Sequence, residues 1–164
     1  MGEWENQKGS SDEWYTPKFI FDALGADFDL DVAAPETGPP HVPCHHFFYS
    51  SALQREWSGF VWMNPPFGGR NGIIPWMDKF FDHGNGIALG PDRTSAPWFH
   101  DCMMRADGIL FLKGKVKFIT PDDRKNQHPS NGTVLFASGV KAMHHLRIAQ
   151  SRGLGFLMIP EFRY

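Results

Sequence analysis

Apolar positions along this chain fall into short runs punctuated by Gly and Pro, and their spacing changes from run to run. Phe19, Ile20, Ala23 and Leu24 recur at helical spacing. Thr16 can cap that helix, Pro17 suits its first turn, and Gly25 ends it. Residues 28–32 (Phe-Asp-Leu-Asp-Val) alternate and predict a strand. Residues 35–43 hold Pro35, Gly38, Pro39, Pro40 and Pro43 and predict an irregular loop. The apolar run 59–63 predicts a buried strand that stops at Pro65-Pro66, because a proline pair cannot continue a ladder. Beyond it the pattern predicts helices over 73–83, 95–106 and 140–150. The helix over 95–106 places Trp98, Phe99, Cys102 and Met103 on one side. Strands are predicted over 86–90, 109–112, 116–119, 133–137 and 155–159. Helices and strands alternate early and strands dominate late. That order describes an α/β domain with a parallel centre and antiparallel edge strands.

Composition narrows the class. At 164 residues with 41% apolar content, the chain suits one domain with a real core. Residues 1–12 read as a flexible polar N-terminal arm and 13–164 as a single domain. Formal net charge is -2, so any contact with nucleic acid must rely on a local basic patch and not on the global field. Cys44 and Cys102 are too few for a disulfide framework, which favours a reducing cytoplasm. No apolar run has the length of a membrane span, and no membrane partner is expected. His41, Cys44, His45 and His46 fit no standard zinc spacing, so no metal is expected either.

The chemistry-bearing motif is Asn64-Pro65-Pro66-Phe67, directly after the strand at 59–63. Ligands of open α/β sheets collect outside the carboxyl ends of strands, where this motif falls. An exocyclic amine on a base is a poor nucleophile because its lone pair is delocalised into the ring. Two acceptors on its N–H bonds pull the nitrogen toward tetrahedral geometry. The Asn64 side-chain oxygen and the Pro65 carbonyl can serve as those acceptors, and Phe67 offers a face for a flipped base. The same four residues would also serve as a plain turn in which Asn64 bonds its own backbone.

Two further segments support a site. Trp14-Tyr15-Thr16-Pro17 is an aromatic pair leading into a helix start, which would equally serve as a packed staple. Asp31, at a strand end, is followed by Ala33 and Ala34. Small residues there let a ligand approach the backbone, and the carboxylate can hold a cationic amino group. A carboxylate facing solvent is the alternative.

Together these segments resemble the phage-type DNA N6-adenine methyltransferase family, over about residues 12–137. The resemblance implies a Rossmann-like S-adenosylmethionine methyltransferase fold with a trimmed mixed sheet. It implies S-adenosylmethionine as cofactor and double-stranded DNA as substrate. Asn64, Pro65, Pro66 and Phe67 match its catalytic signature. Trp14, Tyr15, Thr16 and Pro17 match a segment bordering the cofactor, and Asp31, Ala33 and Ala34 fall where its methionine part binds. Arg93-Thr94 ahead of Trp98-Phe99, and Gly114-Lys115-Val116-Lys117-Phe118, resemble two more family segments. A phage gene that evades restriction, acting in the host cytoplasm, would fit.

The chain departs from the pattern in two places. Pro35 stands where larger methyltransferases have a glycine-rich loop, and Ser50-Ser51-Ala52-Leu53 lacks the carboxylate often found there. Asp31 and Asn64 are separated by 33 positions (64 minus 31). One crossover takes roughly 30 residues, so those two strands should be joined by one crossover and little else. Residues 41–57 then wall the adenosine pocket, with Phe47, Phe48 and Leu53 as wall residues. For DNA, Lys113, Lys115 and Lys117 alternate and would share one face of a strand, followed by Arg124 and Lys125 in a polar loop. Lysines guarding an edge strand are the competing reading. Arg70, Asn71 and Arg93 lie near the motif, and residues 121–132 read as a mobile loop over substrate. A homodimer would enlarge the DNA footprint. Cytosine N4, an RNA base, a glutamine amide, or a weakly catalytic binding module are the rival readings.

Overall fold

The computed structural model describes residues 14–66, 68, 72–120 and 131–161. The predicted arm at 1–12 lies outside them, as do Phe67, Arg70, Asn71, Arg124, Lys125 and most of the 121–132 loop. Along the chain run α1 (Lys18–Leu24), β1 (Phe28–Asp31), β2 (Cys44–Phe47), β3 (Val61–Met63) and α2 (Ile74–His83). They are followed by β4 (Gly86–Pro91), α3 (Pro97–Arg105), β5 (Gly108–Leu112), β6 (Thr133–Ser138), α4 (Val140–Ser151) and β7 (Gly155–Met158).

The strands form one seven-stranded mixed sheet in the order β2-β1-β3-β4-β6-β5-β7. β2, β1, β3 and β4 are parallel, and β6, β5 and β7 join antiparallel. The mixed sheet is as expected, with one difference: the β2 edge is parallel, so the parallel half reaches a border of the sheet.

Alternation along the central strands covers both faces. Trp62, Ile87, Leu89, Leu110 and Leu135 pack on α1 and α4 through Ile20, Phe21, Leu24, Ala142 and Leu146. Val61, Met63, Ala88, Ile109 and Phe136 pack on α2 and α3 through Met77, Phe80, Phe99 and Cys102. Each such large side chain, fully buried, contributes about 1.5–3 kcal/mol. Much of the aromatic content fills this core. Phe28 and Phe60 stack at 4.9 Å between ring centroids, and Phe21 meets Trp62 edge-on at 4.8 Å. Gly25 and Gly84 close α1 and α2 in left-handed conformations, as their positions predict.

Four expectations are corrected. Residues 44–47 form β2, so a whole strand lies within the stretch whose spacing predicts a single bare crossover between β1 and β3. Its side chains Cys-His-His-Phe carry no alternation of apolar and polar, and it is held by backbone pairing to β1. Residues 116–119 are not a strand of the sheet; Ile119 alone makes an isolated bridge, to Tyr15. Lys113, Lys115 and Lys117 therefore do not line one face of a strand, and Gly114 turns the chain between them at φ 76°. Phe19 and Met103, grouped by spacing with the apolar side of their helices, are exposed, while Phe21 takes the inward place in α1.

Candidate active site at the carboxyl edge of the sheet

Parallel pairing brings the ends of β1 (Asp31), β2 (Phe47), β3 (Met63) and β4 (Pro91) to one edge of the sheet. β5 runs in the same sense, because it is antiparallel to β6 and β6 is antiparallel to β4. Its end at Leu112 and the start of β6 at Thr133 therefore reach that edge too. Among the described residues, Asp31 and Phe47 end their strands, Ala33, Ala34, Phe48, Asn64, Pro65, Pro66, Arg93, Lys113, Lys115 and Lys117 fall on segments that leave these strand ends, and Trp14–Pro17 precede α1.

Asn64 is the first residue beyond β3. Its side-chain nitrogen Nδ2 donates to the Trp14 carbonyl at 2.9 Å and to the Thr16 hydroxyl at 3.1 Å. It does not form the self-bonded turn that the four residues alone would allow. Pro65 is buried beside it and Pro66 half-buried.

Thr16 is 5% exposed, and α1 has Pro17 at its N-cap with no side-chain cap bond. The expected cap is thus absent: the hydroxyl faces Asn64. The same N-terminal segment is pinned from its other side. Tyr15 N–H donates to the Ile119 carbonyl at 2.8 Å, and Ile119 N–H donates back at 3.1 Å. Trp14 meets Phe118 edge-on, with centroids 6.3 Å apart. Three stretches that look unrelated in sequence, 14–17, 64–66 and 118–119, are therefore contiguous.

On β1, Asp31 pairs in register with Trp62, and Val32 N–H donates to the Trp62 carbonyl at 3.1 Å. Ala33 and Asn64 are each two residues past that pair on neighbouring strands. Asp31 does not face solvent: it is 3% exposed, and its Oδ1 accepts from Ala33 N–H at 3.0 Å. Phe48 N–H donates to the Asp31 carbonyl at 2.8 Å and Ala34 N–H to the Phe48 carbonyl at 2.9 Å. The 31–34 turn and the end of β2 are thereby joined. Cys44 starts β2, in register with Phe28 at the other end of β1, yet its thiol feels the Asp31 carboxylate. Burial, with the Asp31 carboxylate adding to it, pushes its thiol up to about 11. Nothing in the sequence pattern signalled that neighbour, because β2 itself was not legible.

Phe47 is exposed and Phe48 half-buried, with the Arg55 guanidinium 4.9 Å above the Phe48 ring. The segment that follows is held to α2. Lys79 Nζ donates to the Leu53 carbonyl at 2.8 Å and to the Arg55 carbonyl, and lies over the Trp57 ring. Trp57 Nε1 donates to the Ala52 carbonyl at 2.8 Å. Burial lowers the Lys79 pKa, which the nearby Glu56 carboxylate opposes.

Among the proposed DNA-binding residues, Arg93 is exposed after β4, where Asp92 N–H donates to the Gly132 carbonyl at 3.0 Å. Lys113, Lys115 and Lys117 are exposed on the irregular segment between β5 and the Tyr15 bridge. His41 precedes β2, and among the described residues no three His, Cys, Asp or Glu side chains converge as a metal site would need.

The chain is thus an α/β protein whose mixed sheet carries an oriented amide, a buried carboxylate and small residues at its carboxyl edge, where open α/β sheets place their ligands. A family model for DNA N-6-adenine-methyltransferase (Dam) matches residues 4–145. The chain belongs to that family and is an adenine-specific DNA methyltransferase. No curated protein and no solved structure matches it.

Proposed function

We propose that residues 13–164 form one Rossmann-like methyltransferase domain that carries a methyl group from S-adenosylmethionine to adenine N6 in double-stranded DNA. The observation that carries the reading is the placement of Asn64 at the end of β3, one strand over from Asp31 and fastened to the Trp14–Pro17 segment. The cofactor fits the residues of this corner. Asp31 supplies a carboxylate for a cationic amino group, the half-buried Ala33 leaves the backbone approachable, the buried Ala34 ties the turn to Phe48, and Trp14, Tyr15, Phe47 and Phe48 supply aromatic walls. When bound, S-adenosylmethionine supplies a methyl group made electrophilic by its positive sulfur.

The chain's own residues act on the base. Asn64 Oδ1 accepts one N6–H and the Pro65 carbonyl accepts the other, which localises the nitrogen lone pair. Phe67 stacks the flipped adenine. Thr16 and Pro17, both buried, hold their place in this wall from within. Pro66 fixes the backbone that presents the Pro65 carbonyl. Arg93, Lys113, Lys115 and Lys117 neutralise phosphates along the same edge, and Arg70, Arg124 and Lys125, outside the described residues, add to the phosphate contacts.

The test is a methylation assay on unmethylated duplex DNA with labelled S-adenosylmethionine, followed by nucleoside mass spectrometry. N6-methyladenine is expected from the wild type. Asn64→Ala should remove it and leave cofactor binding by calorimetry within about threefold, since the interaction it removes is made to the base. N4-methylcytosine, or full turnover by the Asn64→Ala variant, would overturn the assignment.

A further inference from the structure

We infer that Trp14 and Thr16 fix which way round the Asn64 amide sits, and that this chain requires an amide, not a carboxylate, at position 64. The inference rests on the reading of Asn64 as an acceptor for the adenine amine.

A backbone carbonyl only accepts hydrogen bonds. The Asn64 atom 2.9 Å from the Trp14 carbonyl must therefore be the NH₂ group, which assigns the amide without ambiguity. The second N–H of that group points to the Thr16 hydroxyl at 3.1 Å. Both donors are thus engaged inside the protein, and no described residue donates to Oδ1. The amide cannot rotate to present NH₂ to the base without losing both bonds and setting its oxygen against the Trp14 carbonyl. An NH₂ presented to an exocyclic amine would repel it; an oxygen attracts it. Thr16 is consequently a positioning residue: it touches Asn64 and acts on the base through it.

The Trp14 carbonyl is itself held in place, because Tyr15 is bridged to Ile119 and the Trp14 ring packs on Phe118. Acceptor geometry at position 64 thus depends on the segment that carries Lys115 and Lys117. A carboxylate at position 64 would place one oxygen against the Trp14 carbonyl. Two acceptors with no proton between them repel, so that carboxyl group would favour its protonated form, which can donate to Trp14 and still accept from the base.

Four variants of the full chain test this, assayed on unmethylated duplex DNA. Thr16→Val should lower kcat about tenfold, the upper end for one neutral hydrogen bond, while KM for S-adenosylmethionine stays within about twofold. Thr16→Ser should restore most of the lost turnover. In the cofactor-free protein, one of the two Asn64 side-chain amide protons should shift in the NMR spectrum of Thr16→Val and return in Thr16→Ser. Asn64→Asp should be active only on the acid side and lose turnover as pH rises through the raised pKa of the new carboxyl group. The wild type should show no such descending limb. Equal kcat in Thr16→Val and wild type with unshifted amide protons, or full activity of Asn64→Asp at pH 8, would overturn the inference. If Asn64→Ala is inactive while Thr16→Val is silent in both readouts, only the positioning role fails. If Asn64→Ala is fully active, the underlying reading of Asn64 fails instead.

Discussion

Within the β1–β2 strand pair a buried carboxylate acts on a thiol. Asp31 caps the Ala33 N–H, and Cys44 beside it has its pKa raised to about 11, first by burial and then by the Asp31 charge. At pH 7.5 the thiolate is a minor species, roughly one part in several thousand, so alkylation of Cys44 should be slow. Replacing Asp31 by Asn removes one of the two upward influences. It should speed iodoacetamide labelling of Cys44 by up to about tenfold, the equivalent of one pKa unit. Cys102, in the core with its thiol pushed up to about 12, should remain unlabelled in both proteins and provides the internal control. An unchanged Cys44 rate in Asp31→Asn would show that the carboxylate does not reach the thiol electrostatically.

Two links between elements decide how well the site is held. Gly59 enters β3 at φ 72°, and a Cβ there would stand 2.7 Å from the Asp29 carboxyl carbon. That carboxylate accepts from Phe60 N–H at 2.7 Å and so ties β1 to the strand that delivers Asn64. Gly59→Ala combines a left-handed backbone with a clash, and should destabilise the fold by about 2–4 kcal/mol in urea unfolding. Next to Phe60, the His145 ring bonds the Leu24 carbonyl at 2.9 Å and links α4 to α1. Since a carbonyl only accepts, Nδ1 carries the proton. Burial lowers the His145 pKa, an effect opposed by the Leu24 bond and reinforced by His144 and Lys141. A histidine whose pKa is lower folded than unfolded binds more protons when unfolded. Its contribution is therefore complete above the ordinary histidine pKa, near 6.5, and declines as pH falls through that value. The Tm of the wild type should fall more between pH 7.5 and 5.5 than that of His145→Gln, and parallel curves would remove His145 from the acid response.

For the whole molecule, the issue is how a chain of net charge -2 binds a polyanion. Lys113, Lys115 and Lys117 emerge from the edge of the sheet where Asn64 and Asp31 lie, so their charge is local to the site even though they do not share a strand face. Each lysine that neutralises a phosphate adds about 0.9 to the slope of log K against log salt. Lys113→Gln, Lys115→Gln and Lys117→Gln together should therefore flatten that slope by about 2 to 3. Turnover at saturating DNA should persist. A slope identical to that of the wild type would place these lysines away from the phosphates.

What the sequence alone determined is whatever depends on local pattern. Apolar periodicity located α1, α2, α3 and α4 and the buried strands β3, β4 and β6, because each element must bury one side. The Asn-Pro-Pro motif was legible because prolines end a ladder where an α/β sheet presents its ligands. Tertiary structure decided the rest. β2 exists through backbone pairing with β1, which leaves no mark in the residues Cys-His-His-Phe. Residues 116–119 look like a strand because Val116 and Phe118 alternate with polar neighbours, yet after the turn at Gly114 only one bridge is made. The hydroxyl of Thr16 has two possible partners: the first turn of its own helix, about 2 to 3 residues away, and an amide 48 positions along the chain. Propensity favours the first, and the packing of 14–17 between β3 and Ile119 selects the second, because only the folded chain brings an Asn64 donor within 3.1 Å.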